Sequence, residues 1–131
     1  NRAIATWHCR ACNHHQQEKM TVCDRCGTDA VTHFPSLIEH KRGCELLLLA
    51  TRGLIRNLKF HPRYDLKVEM TKVCTYVADS EYLDVETTKT VVEDVKPVGW
   101  KIDRFSALKI KLFDAINKQH QISVTIRRMR P

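Results

Sequence analysis

Hydrophobic residues recur at helical spacing in the segment after residue 35. Leu37, Cys44 and Leu48 fall on one side of a helix, and the leucines between positions 46 and 49 widen its apolar face. Ser36 stands three residues before a glutamate, which is a capping-box pattern, and the Arg-Gly pair at 52–53 is typical of a helix end. The pattern therefore predicts a well-buried helix between these two signals.

Short apolar blocks, separated by polar or proline-containing breaks, follow this helix. Ile102 begins a second segment with helical spacing, which extends to Lys118. Strands are predicted around residues 54–60, 66–70, 72–79, 90–95 and 121–126, with a polar hairpin tip at 86–89 and a basic tail at 127–131. We expect residues 35–131 to form an α/β core of order αβββαβ around a mixed central sheet.

Residues 1–34 have little hydrophobic periodicity and are organised by cysteine instead. Two C-x-x-C pairs, Cys9/Cys12 and Cys23/Cys26, are ten residues apart, and a glycine directly follows the second pair. Two such turns can present four thiolates to one Zn²⁺ in a closed structural site, so this segment is predicted to be a zinc-binding module. The alternatives are two disulfides, or a ligand set in which His14 or His15 replaces one cysteine. With the zinc ligands supplied by cysteine, the histidines at 8, 14, 15 and 33 are expected at the surface.

The composition favours a small intracellular protein that binds an anion. The 131 residues contain no hydrophobic run of membrane-spanning length and no signal-peptide pattern, so we expect no membrane association and a cytoplasmic location in a bacterial or phage-infected cell. The net charge of +7 is unevenly spread. Residues 100–131 contain eight basic and two acidic side chains, whereas residues 79–95 contain six acidic side chains and one lysine. A basic surface beside an acidic site suits a polyanion held over a metal ion.

The acidic region contains a pattern of acidic and basic residues that is typical of a metal-binding catalytic site. Tyr76-Val77-Ala78 leads into Asp79, and a second apolar block leads into Asp94 and Lys96. Residues i and i+2 of a strand share one face, so Asp94 and Lys96 should project together, with Glu93 facing away. If the strand that ends at Asp79 pairs with the strand that contains Asp94, the Asp79 side chain can lie beside Asp94 and Lys96. Two carboxylates can hold Mg²⁺, and an ammonium group can position water or offset the charge of a phosphate. Glu39 is a further candidate, although its position three residues after Ser36 favours a role in the helix cap.

The order of motifs from Phe34 to Arg127 resembles that of the PD-(D/E)XK nuclease superfamily. It is most similar to small phage-type endonucleases and to the endonuclease subunits of some DNA transposons. The matching stretches are Phe34-Pro35-Ser36-x-x-Glu39, Arg52-Gly53, Phe60-His61-Pro62, Tyr76-Val77-Ala78-Asp79, Val91-Val92-Glu93-Asp94-Val95-Lys96 and the lysine-rich helix Leu108–Phe113.

The resemblance implies a restriction-endonuclease-like core and a role for each acidic residue. It implies that Glu39 assists the metal site, that Asp79 and Asp94 bind Mg²⁺ or Mn²⁺, and that Lys96 assists the attacking water. The chain departs from the family pattern at three positions. Ala78 replaces a frequent proline, Pro97 replaces a frequent glycine, and His61 replaces a common glutamine.

DNA is therefore the expected partner. His61, Lys109, Lys111, Arg127 and Arg128 are the candidate contacts to the nucleic acid. One active site cuts one strand, so a double cut would require a homodimer. Two other functions fit the same composition: a non-catalytic zinc-ribbon module that binds nucleic acid, and a zinc-stabilised adaptor that binds protein.

Overall fold

The computed structural model describes residues 4–130, which form a mixed α/β structure with two α-helices and several sheets. The elements are β1 (Thr6–Cys9), β2 (His15–Gln16), β3 (Val31–Phe34), α1 (Leu37–Thr51), β4 (Ile55–Phe60), β5 (Arg63–Val68), β6 (Thr71–Val77), β7 (Ser80–Asp84), β8 (Lys89–Pro97), α2 (Arg104–Ile116), a 3₁₀ turn (Lys118–His120) and β9 (Val124–Met129). Neither α1 nor α2 has the length and apolar character needed to cross a lipid bilayer.

Helix α1 begins and ends close to the predicted residues. Ser36 is the N-cap, and its hydroxyl accepts the backbone N–H of Glu39 at 3.4 Å. Gly53 has a φ of +74°, a left-handed conformation that glycine adopts without steric cost after a helix. Leu46 packs in a buried cluster with Ile55 of β4 and Tyr82 of β7. Helix α1 therefore covers one face of the large sheet.

The large sheet has the strand order β4-β7-β8-β9. The first three strands are antiparallel, and β9 joins β8 in parallel after the crossover through α2. Ile110 and Phe113 of α2 pack with Val92 of β8 and with two residues of the β5–β6 hairpin, Leu66 and Tyr76. The central strand β8 is thus covered on both faces, by α1 on one side and by α2 with the hairpin on the other.

The strands differ from the prediction in a way that matters for the site. The predicted strand at 72–79 ends at Val77, and it pairs with β5 in a separate two-stranded hairpin instead of pairing with β8. Its expected place beside β8 is taken by β7, in a segment where we predicted no strand. Three of the five residues of β7 are polar (Ser80, Glu81 and Asp84), and Tyr82 and Leu83 are adjacent, so the segment lacks the alternation that predicts a strand. The order α1-β4-β7-β8-α2-β9 is αβββαβ, with β5 and β6 inserted as a hairpin.

The end of the chain also differs from the prediction. The last strand begins at Val124 and continues to Met129, so Arg127 and Arg128 lie in β9 and not in a free tail. Strand β9 pairs with β8 from Val124, which lies opposite Val92, to Met129, which lies opposite Pro97 at the end of β8.

The N-terminal module (residues 1–34) contains more regular structure than its sequence indicated. Strand β1 pairs with both β2 and β3, and the residues opposite each other include His8 with Thr32 and Thr6 with Phe34. Phe34 is almost fully buried, and its ring lies directly over Gly43 of α1, where a Cβ atom would overlap the ring. The absence of a side chain at Gly43 therefore lets the module pack closely against α1.

Candidate metal centres

The four cysteines of the N-terminal module form one cluster. Cys9 and Cys26 place their Sγ atoms 3.6 Å apart, as do Cys12 and Cys23, and all four atoms lie within 4.8 Å of one another. With Zn–S bonds of about 2.3 Å, the edges of a tetrahedral site would be about 3.8 Å. The same spacing is far longer than an S–S bond of about 2.05 Å, and all four thiols are free. The cluster can bind a metal such as zinc.

Thr28 supports this interpretation of the cluster. Its hydroxyl lies 3.5 Å from Cys9 Sγ and 3.3 Å from Cys26 Sγ. Hydrogen bonding with Thr28 lowers the pKa of Cys9 to about 6 and also lowers the pKa of Cys26. Both shifts favour the thiolate, which is the form that binds metal. His14 lies outside the cluster, and its Nε2 atom is 2.9 Å from Gln16 Oε1.

The expectation that His8 lies at the surface is wrong. His8 is only 3% exposed, since its place in β1 turns it towards α1, where its Nδ1 atom is 3.1 Å from His40 Nε2. The burial of His8 follows from the alternation of β1, in which His8 and the buried Thr6 share one face of the strand.

The second candidate centre lies where β7 and β8 meet the end of β4. Asp79, just before β7, is held by three backbone hydrogen bonds. Its N–H donates to the carbonyl of Glu93 at 3.1 Å, and its own carbonyl accepts the N–H of His61 at 3.0 Å. Its Oδ2 atom accepts the N–H of Val95 at 2.6 Å. Asp79 is therefore brought to β8, although the predicted pairing of its own strand with β8 is not observed.

Asp94 and Lys96 share one face of β8, as the alternation predicted. The Lys96 ammonium is 3.7 Å from Asp94 Oδ1, and the Tyr76 hydroxyl donates to Asp94 Oδ2 at 2.7 Å. Asp94 is buried, whereas the side chain of Lys96 is 25% exposed. The aspartate is thus anchored inside the protein while the lysine retains access to solvent.

Glu39 and His61 complete the group around Asp79. Their ligand atoms and a carboxylate oxygen of Asp79 all lie within 4.8 Å of one another. Glu39 also accepts the hydroxyl of Ser36 at 2.7 Å, so it takes part in the helix cap while facing Asp79. His61 has a φ of +54° in the turn after β4, and this conformation directs its N–H to Asp79. We call Glu39, His61, Asp79, Asp94 and Lys96 the carboxylate cleft.

The environment of the carboxylate cleft favours a bound cation. Burial raises the pKa of Asp79 to about 7, and the neighbouring Glu39 carboxylate adds to this increase. Burial and the charge of Asp79 raise the pKa of Asp94 to about 6. Partly buried carboxylates that repel one another are stabilised by a divalent ion, which supplies the missing positive charge.

Glu93, the neighbour of Asp94, has a different environment on the opposite face of β8. It is fully buried and accepts hydrogen bonds from Arg42 of α1, at 2.8 Å from Nε and 3.3 Å from Nη2. Arg127 of β9 donates to the same carboxylate. Sequence reasoning missed the role of Arg42, although its position between Ile38 and Leu46 in the buried stripe of α1 was a signal.

This ion-pair cluster changes the expected role of the C-terminal arginines. Arg127 was predicted to contact nucleic acid, but its side chain is already paired with Glu93. Arg128 donates to the carbonyls of Pro97 at 2.9 Å and Trp100 at 2.6 Å, and thereby holds the segment after β8. Lys109 and Lys111 lie on α2, where Lys111 is exposed and Lys109 is partly buried.

No protein-family model matches this chain, and neither a curated protein nor a solved structure matches it. The fold and the two centres define the class: a mixed α/β protein with a four-cysteine cluster that can bind a metal and a separate group of partly buried carboxylates. The resemblance to PD-(D/E)XK nucleases stays a prediction.

Proposed function

We propose that this chain is a metal-dependent DNA endonuclease with a restriction-endonuclease-like core. The observation that carries the proposal is the contact of Asp79 Oδ2 with the Val95 N–H at 2.6 Å. Val95 stands between Asp94 and Lys96, so this contact places Asp79 at the segment that carries the second carboxylate and the ammonium. The contact brings together residues that are far apart in the chain, and two carboxylates beside an ammonium group support a role in phosphodiester hydrolysis.

The donor set fits Mg²⁺ or Mn²⁺, which prefer carboxylate oxygens. Asp79 and Asp94 would hold the ion, and Glu39 would assist from α1. When bound, the ion would polarise the phosphate and lower the pKa of a water molecule. Tyr76 and the Val95 N–H fix the two aspartates before any ion binds, so little reorganisation is needed.

Lys96 has the position expected of the group that acts on the nucleophile. Its ammonium lies beside Asp94 and reaches solvent, where an attacking water would enter. A positive charge there can orient the water or offset the negative charge that develops on the phosphate. His61 borders the same cleft, and we assign it a contact with the phosphate.

The distribution of charge favours DNA as the substrate. The strongly basic C-terminal quarter would attract the phosphate backbone, and the acidic segment at 79–95 supplies the metal ligands. Lys109 and Lys111 are the proposed backbone contacts. Arg127 is left out of this surface because its guanidinium is paired with Glu93. A cut in both strands would require two copies of the chain.

The decisive experiment incubates the zinc-loaded protein with supercoiled, linear and branched DNA, with Mg²⁺, with Mn²⁺ and without added divalent ion. Cleavage is expected only with the ions. Asp79→Asn, Asp94→Asn and Lys96→Ala should each slow it by at least about 100-fold while DNA affinity largely survives. Glu86→Gln, an exposed acid at the β7–β8 hairpin, is the matched control and should cut normally.

Two outcomes would contradict the proposal. Salt-dependent DNA binding without cleavage under every metal would assign the chain to non-catalytic nucleic-acid binding. No measurable DNA affinity at low salt would favour the protein-interaction adaptor instead.

A further inference from the structure

A third group of metal-binding side chains lies between the N-terminal module and α1. It consists of His8 of β1 with His40 and Cys44 of α1, whose ligand atoms all lie within 4.8 Å of one another. None of the three belongs to the four-cysteine cluster or to the carboxylate cleft.

The local structure explains why these side chains meet. His40 and Cys44 are four residues apart on α1, so they project from the same side of the helix. Strand β1 turns His8 towards that side, and His8 is buried there. Its Nδ1 atom lies 3.1 Å from His40 Nε2. For Zn–N bonds of about 2.0–2.1 Å, two ligands of a tetrahedral site are about 3.3–3.4 Å apart. The histidine pair already has nearly this spacing.

Asn13 provides an outer contact of the kind that orients a metal-binding histidine. Its side-chain oxygen lies 3.3 Å from His8 Nε2 and can accept a hydrogen bond from that nitrogen. A proton on Nε2 leaves the lone pair on Nδ1, which is the atom directed at His40. Asn13 is held in turn by its N–H, which donates to the carbonyl of Cys9 at 2.9 Å. The first cysteine turn therefore sets the tautomer of His8.

We propose that His8, His40 and Cys44 form a second transition-metal site, most suited to Zn²⁺, which ties the N-terminal module to α1. Two imidazoles and a thiolate are ligands that Zn²⁺ binds well and Mg²⁺ does not. Cys44 is exposed, so a metal can enter from solvent, and a water molecule would occupy the fourth position. A hydrogen bond between the two histidines would explain their contact, but it would give Cys44 no role.

Cobalt titration of the full chain tests the proposal, because Co²⁺ replaces Zn²⁺ and each cobalt–thiolate bond absorbs in the near ultraviolet. Two binding events with thiolate absorption are expected, the stronger from the four-cysteine cluster. The carboxylate cleft has no thiolate and gives no such band. Cys44→Ser and His40→Ala should each remove the second event and retain the first, and total zinc per chain should fall from two to one.

Cys74→Ser is the matched control, since Cys74 is the other cysteine outside the four-cysteine cluster and lies on β6. It should retain both events. A single thiolate event in the unmodified chain would overturn the proposal, as would two unchanged events in Cys44→Ser. Cys44 is at the surface, so this variant is expected to fold even if His40→Ala does not. The readout does not involve DNA, so its result is separate from that of the cleavage assay.

Discussion

The four-cysteine cluster and the carboxylate cleft both consist of side chains that can bind a metal. They differ in how far apart their residues lie along the chain. The cysteines come from one segment, between Cys9 and Cys26, and two short turns suffice to bring them together. The cleft draws on α1, the turn after β4, the residue before β7, and β8. It exists only when the large sheet and α1 are already in place.

The two regions also differ in what stabilises them. Few apolar side chains are buried in the N-terminal module, where the small core is built around Cys9, Met20 and Cys23. The large sheet has apolar clusters on both faces. In the N-terminal module, metal binding should therefore stabilise the fold. In the carboxylate cleft, the fold holds carboxylates close together, and a metal ion would relieve their repulsion.

Removal of zinc should have the largest effect and should separate the two regions. Structural Zn²⁺ contributes about 10–16 kcal/mol in small zinc-binding peptides. After chelation, the backbone amides of β1 and β3 should lose protection from hydrogen exchange, and those of β8 and α2 should keep it. Cys23→Ser should reproduce the loss and Cys74→Ser should not. Equal loss of protection in both regions would show that they unfold as one unit.

Substitution of Glu93 should lower stability strongly, whereas substitution of the adjacent Asp94 should not lower it. Glu93→Gln leaves the buried Arg42 with only the half-exposed Glu45 as a counter-charge, so the free energy of unfolding should fall by about 3–5 kcal/mol. In the metal-free protein, Asp94→Asn removes a charge that repels Asp79, so stability should be unchanged or higher. Urea denaturation of both variants measures the difference. A larger loss for Asp94→Asn would mean that its carboxylate is not under repulsion.

A methyl group at Gly43 should weaken the contact between the module and α1. Gly43→Ala places a Cβ atom against the buried Phe34 ring, and overpacking of this kind costs about 1–3 kcal/mol. The better helix propensity of alanine offsets part of the loss. Combination with Phe34→Leu should reduce the cost, because the smaller side chain leaves room. Thermal denaturation of the single and double variants measures this coupling, and strict additivity would contradict the contact.

The raised pKa values of the carboxylate cleft should also make the stability of the protein depend on pH. Asp79 has a pKa of about 7 in the folded protein against an ordinary value of 3.8, and the pKa of Asp94 is also raised, to about 6. The folded state therefore holds more protons than the unfolded state between about pH 4 and pH 7. The contribution of this pair to stability is largest below pH 4 and is lost as the pH rises to 7.

Metal binding should show the reverse dependence, because the carboxylates must lose their protons. The affinity for Mn²⁺ should increase up to about pH 7 and then level off. Isothermal titration calorimetry at several pH values measures this trend. The exposed-acid variant Glu86→Gln should follow the same curve. An affinity that is independent of pH between 5 and 7 would contradict the raised pKa values.

Part of this structure could be read from local patterns. The spacing of the cysteines predicted their cluster, and the capping box predicted the start of α1 to within a residue. The period of two along a strand predicted that Asp94 and Lys96 would share a face. These features depend on neighbours within a few residues, where the geometry of the backbone alone sets the relation between side chains.

The tertiary structure decided the rest. Strand β7 inserts beside β8 and carries Asp79 to it, Arg42 and Arg127 converge on Glu93, and the turn of β1 brings His8 to α1. The contacts of Asp79 with Val95, of Glu93 with the two arginines and of His8 with His40 join residues at least 16 positions apart. Such contacts depend on which strands pair and in what register, and on which face each helix presents. The packing of the whole core selects that arrangement, so no short stretch of the sequence specifies it.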